Sequence, residues 1–180
     1  MSVEPSRPAA ISATIKTGVA IAAAVWVIDQ FTKYLIVEWV ELPRYGSIEL
    51  LPFLNLTFAR NTGVAMSLLD ITGDGARWIM GVTAAITIGL CWLLARQQRW
   101  LDVVALGLVL GGAIGNITDR IRVGYVVDFI HFHVGTWSFY IFNGADAAIS
   151  IGVFMIILGQ YFVWHSSGEP MSIDKAKGRG

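Results

Sequence analysis

Asp29 and Lys33 stand four residues apart inside a long apolar run, so on a helix they share one face within pairing reach. Farther along come Asn116, Asp119 and Arg120, then Asp128 within Tyr125-Val126-Val127-Asp128-Phe129, then Asn143 and Asp146 within Asn143-Gly144-Ala145-Asp146. Two carboxylates held about 3 Å apart cannot both ionise, so one keeps its proton near neutral pH. The charged partner can take a proton from a water that attacks a peptide carbonyl. The neutral partner can donate to the oxygen as it becomes an oxyanion. Spacing alone does not say which two carboxylates would form such a pair. Each also has a plainer reading: Asp146 as a helix cap, Asp128 as a strand-edge charge, Asp29 with Lys33 as an ion pair anchoring a helix top.

Other chemistries fit less well. His131 and His133 lie together in an extended segment, His165 falls beyond the last apolar run, and no serine sits in a nucleophile-elbow context. The two neighbouring histidines would face one side of a strand, but no third metal ligand suggests itself and no His-Glu-x-x-His motif is present. No cofactor is expected. Cys91 is the single cysteine, so no disulfide can form within the chain, and its apolar run suggests a buried structural thiol.

The elements that must carry these residues are helices in lipid. The 180 residues are 55% hydrophobic and 14% charged, against about 25% charged in a typical soluble domain. Net charge is zero, which gives no basic field for nucleic acid. Apolar runs cover about 17–39, 77–95, 101–119 and 144–164, and a span needs ~20 such residues. The third run is the shortest at its core, Val103 to Ile117, and Leu101 and Thr118 extend it on either side. The expectation is an all-α membrane protein of one domain, with four spanning helices and a small β element. Arg7 and Lys16, the Arg96-Gln97-Gln98-Arg99 turn, and Lys175, Lys177 and Arg179 must share one side. The positive-inside tendency makes that side the cytoplasm, with both termini inside. Connections 40–76 and 120–143 then face out, and the polar tail 166–180 is expected to be disordered.

A cleaved signal sequence over Gly18 to Ile28 is a rival reading, but apolar character continues to Trp39, too long for such a segment. Asp29 lies about 13 residues beyond Lys16, roughly 20 Å along a helix, which places it in the outer half. Leu54 to Arg60 alternates large apolar with polar or small residues, the period of a strand. Tyr125 to Ile141, broken by Gly124 and Gly135, reads as strands or a hairpin. Gly107, Gly111 and Gly115 line one face of the third span, a pattern for close helix packing.

At these residues the sequence resembles lipoprotein signal peptidase (signal peptidase II), a bacterial inner-membrane family, over roughly residues 18–165. The blocks that carry the likeness are Asp29-Gln30-Phe31-Thr32-Lys33, Arg60-Asn61-Thr62-Gly63-Val64-Ala65, Gly111 to Asn116 with Asp119-Arg120 and Val126 to Phe129, and Asn143 to Asp146. The resemblance implies a catalytic dyad of Asp128 and Asp146. It implies a supporting or substrate-binding shell of Asp29, Lys33, Arg60, Asn61, Gly63, Asn116, Asp119, Arg120 and Asn143. It also implies the substrate, a diacylglyceryl-modified prolipoprotein cut just before the lipidated cysteine, in contact with membrane lipid. Globomycin-type inhibitors and a four-helix bundle with an extracytoplasmic β-cradle belong to the same implication. Met66-Ser67 and His131 depart from the family's usual residues without touching either dyad position. A small proton-coupled transporter is the alternative from another class, but its relay groups should spread across the membrane, whereas these acids gather at one end. A presenilin-type protease would carry Gly-x-Gly-Asp, and Asn143-Gly144-Ala145 precedes Asp146 instead.

Overall fold

The computed structural model describes residues 7–62, 74–96 and 99–166. Met66, Ser67 and the tail from 167 onward lie outside them, as does Gly63. In chain order the elements are α1 (Arg7–Tyr34), which ends in a π-helical turn (Leu35–Trp39), α2 (Leu42–Tyr45), β1 (Ser47–Leu51) and β2 (Leu54–Asn61). There follow α3 (Asp74–Leu94), α4 (Trp100–Val123), β3 (Val126–Val134), β4 (Trp137–Ser138) and α5 (Gly144–Ser166). The protein is mostly helical and carries a four-stranded antiparallel sheet in the order β1-β2-β3-β4.

Among the described residues, three helical stretches are long and apolar enough to cross a membrane: Thr14–Trp39, Trp100–Val123 and Gly144–Phe162. In α3 the apolar stretch, Gly81–Leu94, is shorter. The shortest of the four apolar runs therefore belongs to α4, a helix of 24 residues that is also the most buried of the three. Its polar C-terminal turns explain why the run looked short. Asn116, Asp119, Arg120 and Arg122 continue the helix instead of opening the 120–143 connection. The basic pair suits the carbonyl end, and Gly124 stops it in the left-handed conformation at φ 85°, with its N–H on the Arg120 carbonyl.

Glycine sets how closely the helices meet. A Cβ on Gly111 would lie 2.6 Å from the Ala22 carbonyl oxygen of α1, and one on Gly112 would lie 2.5 Å from the Ala145 carbonyl oxygen of α5. On Gly115 it would strike the Asp29 carboxylate at 2.5 Å. The stripe read from sequence thus does more than pack helices, because its outermost member makes room for an acid. Ala22, Leu94, Val103, Leu106 and Leu110 fill the space between α1, α3 and α4. Ile36, Leu42, Val127 and Phe129 seat the sheet on the end of α1.

Ile28 and Phe31 of α1 and Ile157 and Phe162 of α5 are exposed, as expected where hydrocarbon is the solvent. Cys91 corrects an expectation in the same way. It is exposed on α3, because an apolar face in such a protein can look outward to lipid.

Candidate active site

The start of α5 is built by a reciprocal cap. The Asp146 amide donates to Asn143 Oδ1 at 3.0 Å, while the Asn143 amide donates to Asp146 Oδ2 at 3.2 Å. This is the arrangement of a capping box, with Asn at the cap and Asp three residues on. The cap leaves Asp146 Oδ1 to accept from Asn116 Nδ2 of α4 at 2.8 Å. Asn143 is fully buried, and its Nδ2 reaches Asp128 Oδ1 of β3 at 2.6 Å and Asn116 Oδ1 at 3.2 Å. Asn61, the last residue of β2, donates to Asp128 Oδ2 at 3.0 Å. One asparagine therefore touches both aspartates, and two more hold their outer oxygens.

Asp128 is 2% exposed. Burial, and next the negative charge of Asp146, push its carboxyl up to about 6, although the Asn61 and Asn143 amides pull the other way. Behind the pair lies a buried ion cluster. Lys33 Nζ sits 2.9 Å from Asp29 Oδ2 and 2.7 Å from Asp119 Oδ2, and donates to Asn116 Oδ1 at 3.3 Å. Asp29 Oδ1 accepts from the Ala145 amide at the start of α5, and Asp119 Oδ2 from the Val127 amide beside Asp128. Each acid of the cluster thus fixes the backbone next to one aspartate of the pair.

The residues 21–162 match the family model described as Signal peptidase (SPase) II. The chain belongs to the signal peptidase II family. It is 40% identical to the lipoprotein signal peptidase of Sphingopyxis alaskensis over 157 residues, which cover 86% of this chain and 91% of that one. With the lipoprotein signal peptidase of Rhizorhabdus wittichii it shares 47% identity over 143 residues, 78% of this chain and 83% of the relative. A bacterial membrane enzyme solved by the in meso method at 2.3 Å resolution superposes with a TM-score of 0.72 at 34% identity, covering 87% of this chain and 93% of that one. As a signal peptidase II, the protein is an aspartic peptidase of the bacterial membrane that crosses it more than once and cleaves signal peptides from prolipoproteins.

Of the residues singled out from the sequence, Asp29, Lys33, Asn61, Asn116, Asp119, Asp128, Asn143 and Asp146 meet in this single network. Arg120 joins it loosely, with Nη1 3.4 Å from the Asn116 carbonyl oxygen and a buried Nε that has no hydrogen-bond partner among the described residues. Arg60 stands apart and exposed, its guanidinium 5.2 Å from the Tyr125 ring centroid and 5.8 Å from that of Phe58. Gly63 is outside the described residues. His131 lies across the sheet, hydrogen-bonded to Thr57 Oγ1 at 3.3 Å and Ser138 Oγ at 2.6 Å.

Sequence reasoning missed Gln30. Its Nε2 contacts Asp119 Oδ1 at 2.9 Å, Asp29 Oδ2 at 3.2 Å and the Gly115 carbonyl at 3.3 Å, and its Oε1 accepts from Arg122. An amide next to an intramembrane acid was the available signal, because it too must find partners in lipid.

Proposed function

We propose that Asp128 and Asp146 are the catalytic dyad and that the peptide cut is the bond just before a diacylglyceryl-modified cysteine. The observation that carries this reading is Asn143, whose one side chain and backbone amide hold a carboxylate oxygen of each aspartate. The charged member of the dyad takes a proton from water, whose oxygen adds to the scissile carbonyl. The neutral member gives its proton to that carbonyl oxygen, and the intermediate then collapses as the departing amine is protonated. Asn61, Asn116 and Asn143 orient the carboxylates. Asp29, Lys33 and Asp119 hold the elements that bear them. Arg120, Arg60 and Gly63 are assigned to substrate support, with guanidinium donors suited to peptide carbonyls.

In this reading the single domain crosses the membrane four times, with α3 as the remaining span and both termini cytoplasmic. The dyad and sheet then face the extracytoplasmic side of the bacterial inner membrane, where the acyl chains of a lipidated substrate keep its scissile bond. Membrane lipid surrounds the site, and globomycin-type inhibitors act by occupying the dyad. No nucleic acid or cofactor takes part. A reporter fused after Gly180 is expected to be active only in the cytoplasm, and activity outside would overturn the orientation.

The pH profile tests the dyad. One proton must remain on the pair, so kcat/KM for a purified lipidated precursor is expected to fall as pH rises through about 6, where Asp128 loses its proton. The limb belongs to the coupled pair. The Asn61 amide stabilises charged Asp128, so Asn61→Ala raises this pKa and moves the falling limb to higher pH. A limb that stays in place, or moves down, would count against the assignment.

A further inference from the structure

Beside Asp146 a cleft of about 250 Å³ opens between Phe139, Tyr140 and Phe142 and the α5 residues Ala147, Ser150 and Ile151. The aromatic wall is braced by its own contacts. Phe139 and Tyr140 have ring centroids 4.2 Å apart, and Phe142 meets both rings edge-on at 6.0 and 5.9 Å. Apart from Asp146, the polar side chains at the lining among the described residues are the hydroxyls of Ser150 and Tyr140. Down α5 the apolar surface continues at helical spacing through Ile151 and Phe154, which are 54% and 61% exposed.

We propose that this cleft is an acyl subsite, which seats the first methylenes of one fatty-acyl chain on the substrate's lipidated cysteine. The assignment rests on the reading of Asp146 as catalytic and of the substrate as diacylglyceryl-modified. An extended peptide is a poor occupant, because its buried backbone N–H and C=O groups would each need a partner and the walls offer almost none. Hydrocarbon needs none. The volume lies below the ~300–1,000 Å³ of pockets that engulf a whole small ligand, so the cleft takes part of a chain. The remainder of that chain runs over Ile151 and Phe154 in the bilayer. Because Asp146 borders the cleft, a chain seated there holds the residue after the scissile bond against the dyad.

The test compares two synthetic precursor peptides in detergent, one with a diacetylglyceryl and one with a dihexanoylglyceryl thioether on cysteine. The wild-type protein is expected to favour the longer chain by about tenfold in kcat/KM, the equivalent of roughly two buried methylenes. Ser150→Leu, at an exposed position, fills the cleft. It should reduce that preference to less than about twofold, by slowing the dihexanoyl substrate more than the diacetyl one. Ser150→Ala, which fills nothing, should keep it. A preference that survives Ser150→Leu would mean that micelle partitioning causes it, and equal slowing of both substrates would mean that the cleft holds peptide. Either result overturns the subsite. The dyad reading fails separately, if Asp128→Asn still cleaves both substrates.

Discussion

Asp128→Asn and Asp146→Asn are each expected to lower the rate of prolipoprotein cleavage by about 10²–10⁴-fold, the size of a lost general acid or base. The protein should stay folded and inserted. At position 128 it should even gain stability near pH 7. A carboxyl pushed up to about 6 from an ordinary 3.8 is harder to ionise in the folded protein than in the unfolded one. Its favourable contribution is complete below pH 3.8 and is lost as pH rises through about 6. Above that, the buried charge works against folding by an amount on the order of 2–3 kcal/mol, which a neutral amide does not carry. Asn143 keeps its short contact to the side-chain oxygen at 128, and Asn61 can turn its own amide to accept from the new NH₂. Loss of cleavage with a raised unfolding temperature is thus the signature of a catalytic carboxylate, and the combination is familiar where function holds a site away from its most stable sequence. Near-normal processing by either purified variant would remove the dyad, and loss of folding together with activity would make the residue structural.

At position 146 the same replacement meets a different constraint. Both oxygens of Asp146 accept, one from the Asn143 amide and one from Asn116 Nδ2. An asparagine can satisfy only one of them with oxygen, so part of the cap is lost, and such a loss is worth about 1 kcal/mol. Asp146→Asn should therefore be mildly destabilised where Asp128→Asn is not. The contrast gives a check on the geometry that does not depend on turnover.

How much of this was legible in the sequence depends on the range of the interaction. Asp29 and Lys33 are one helical turn apart, so spacing alone put them on a face, and they form the ion pair. Asn143 and Asp146 are three residues apart, and the cap between them is equally local. The strand over Leu54 to Arg60 and the hairpin after Gly124 followed from alternation and breakers, and both are present. What lay hidden crosses the bundle. Asp29 caps a helix 116 residues away, and Gly115 is small because that carboxylate passes beside it. No periodicity carries such information, because it arises only once α1, α4 and α5 are packed. The setting of Arg60 was hidden for a related reason, because the Tyr125 ring beside its guanidinium comes from a distant part of the chain. The exposure of Cys91 shows that in lipid an apolar run says which medium a helix meets and leaves open which face it buries.

Lys33→Met should have the largest effect on folding. Lys33 is 4% exposed and is the cation between two acids that are themselves buried, Asp29 and Asp119. Removing one partner of a buried ion pair typically costs about 3–5 kcal/mol, because the remaining charge is left uncompensated. Here two carboxylates are left facing each other, with Gln30 Nε2 as the amide that still joins them. The damage should also reach catalysis. Asp29 holds the first turn of α5 through the Ala145 amide, and Asp119 holds the start of β3 through the Val127 amide. If these acids repel or take up protons, the two chain segments that bear Asp146 and Asp128 lose their shared anchor. Misplacing reacting groups by about 1 Å can cost 10²-fold in rate. The measurement is thermal unfolding of the purified protein in detergent, alongside cleavage of the lipidated precursor. Combining Lys33→Met with Asp119→Asn removes one of the stranded charges, so the double variant should be more stable than Lys33→Met alone, a non-additivity that reports the pairing directly. It should still cleave poorly, since an amide at 119 no longer offers the charged acceptor that holds the Val127 N–H. A Lys33→Met protein as stable and active as wild type would mean that the cluster does not position the dyad, and the link from buried charge to catalytic geometry would have to be abandoned.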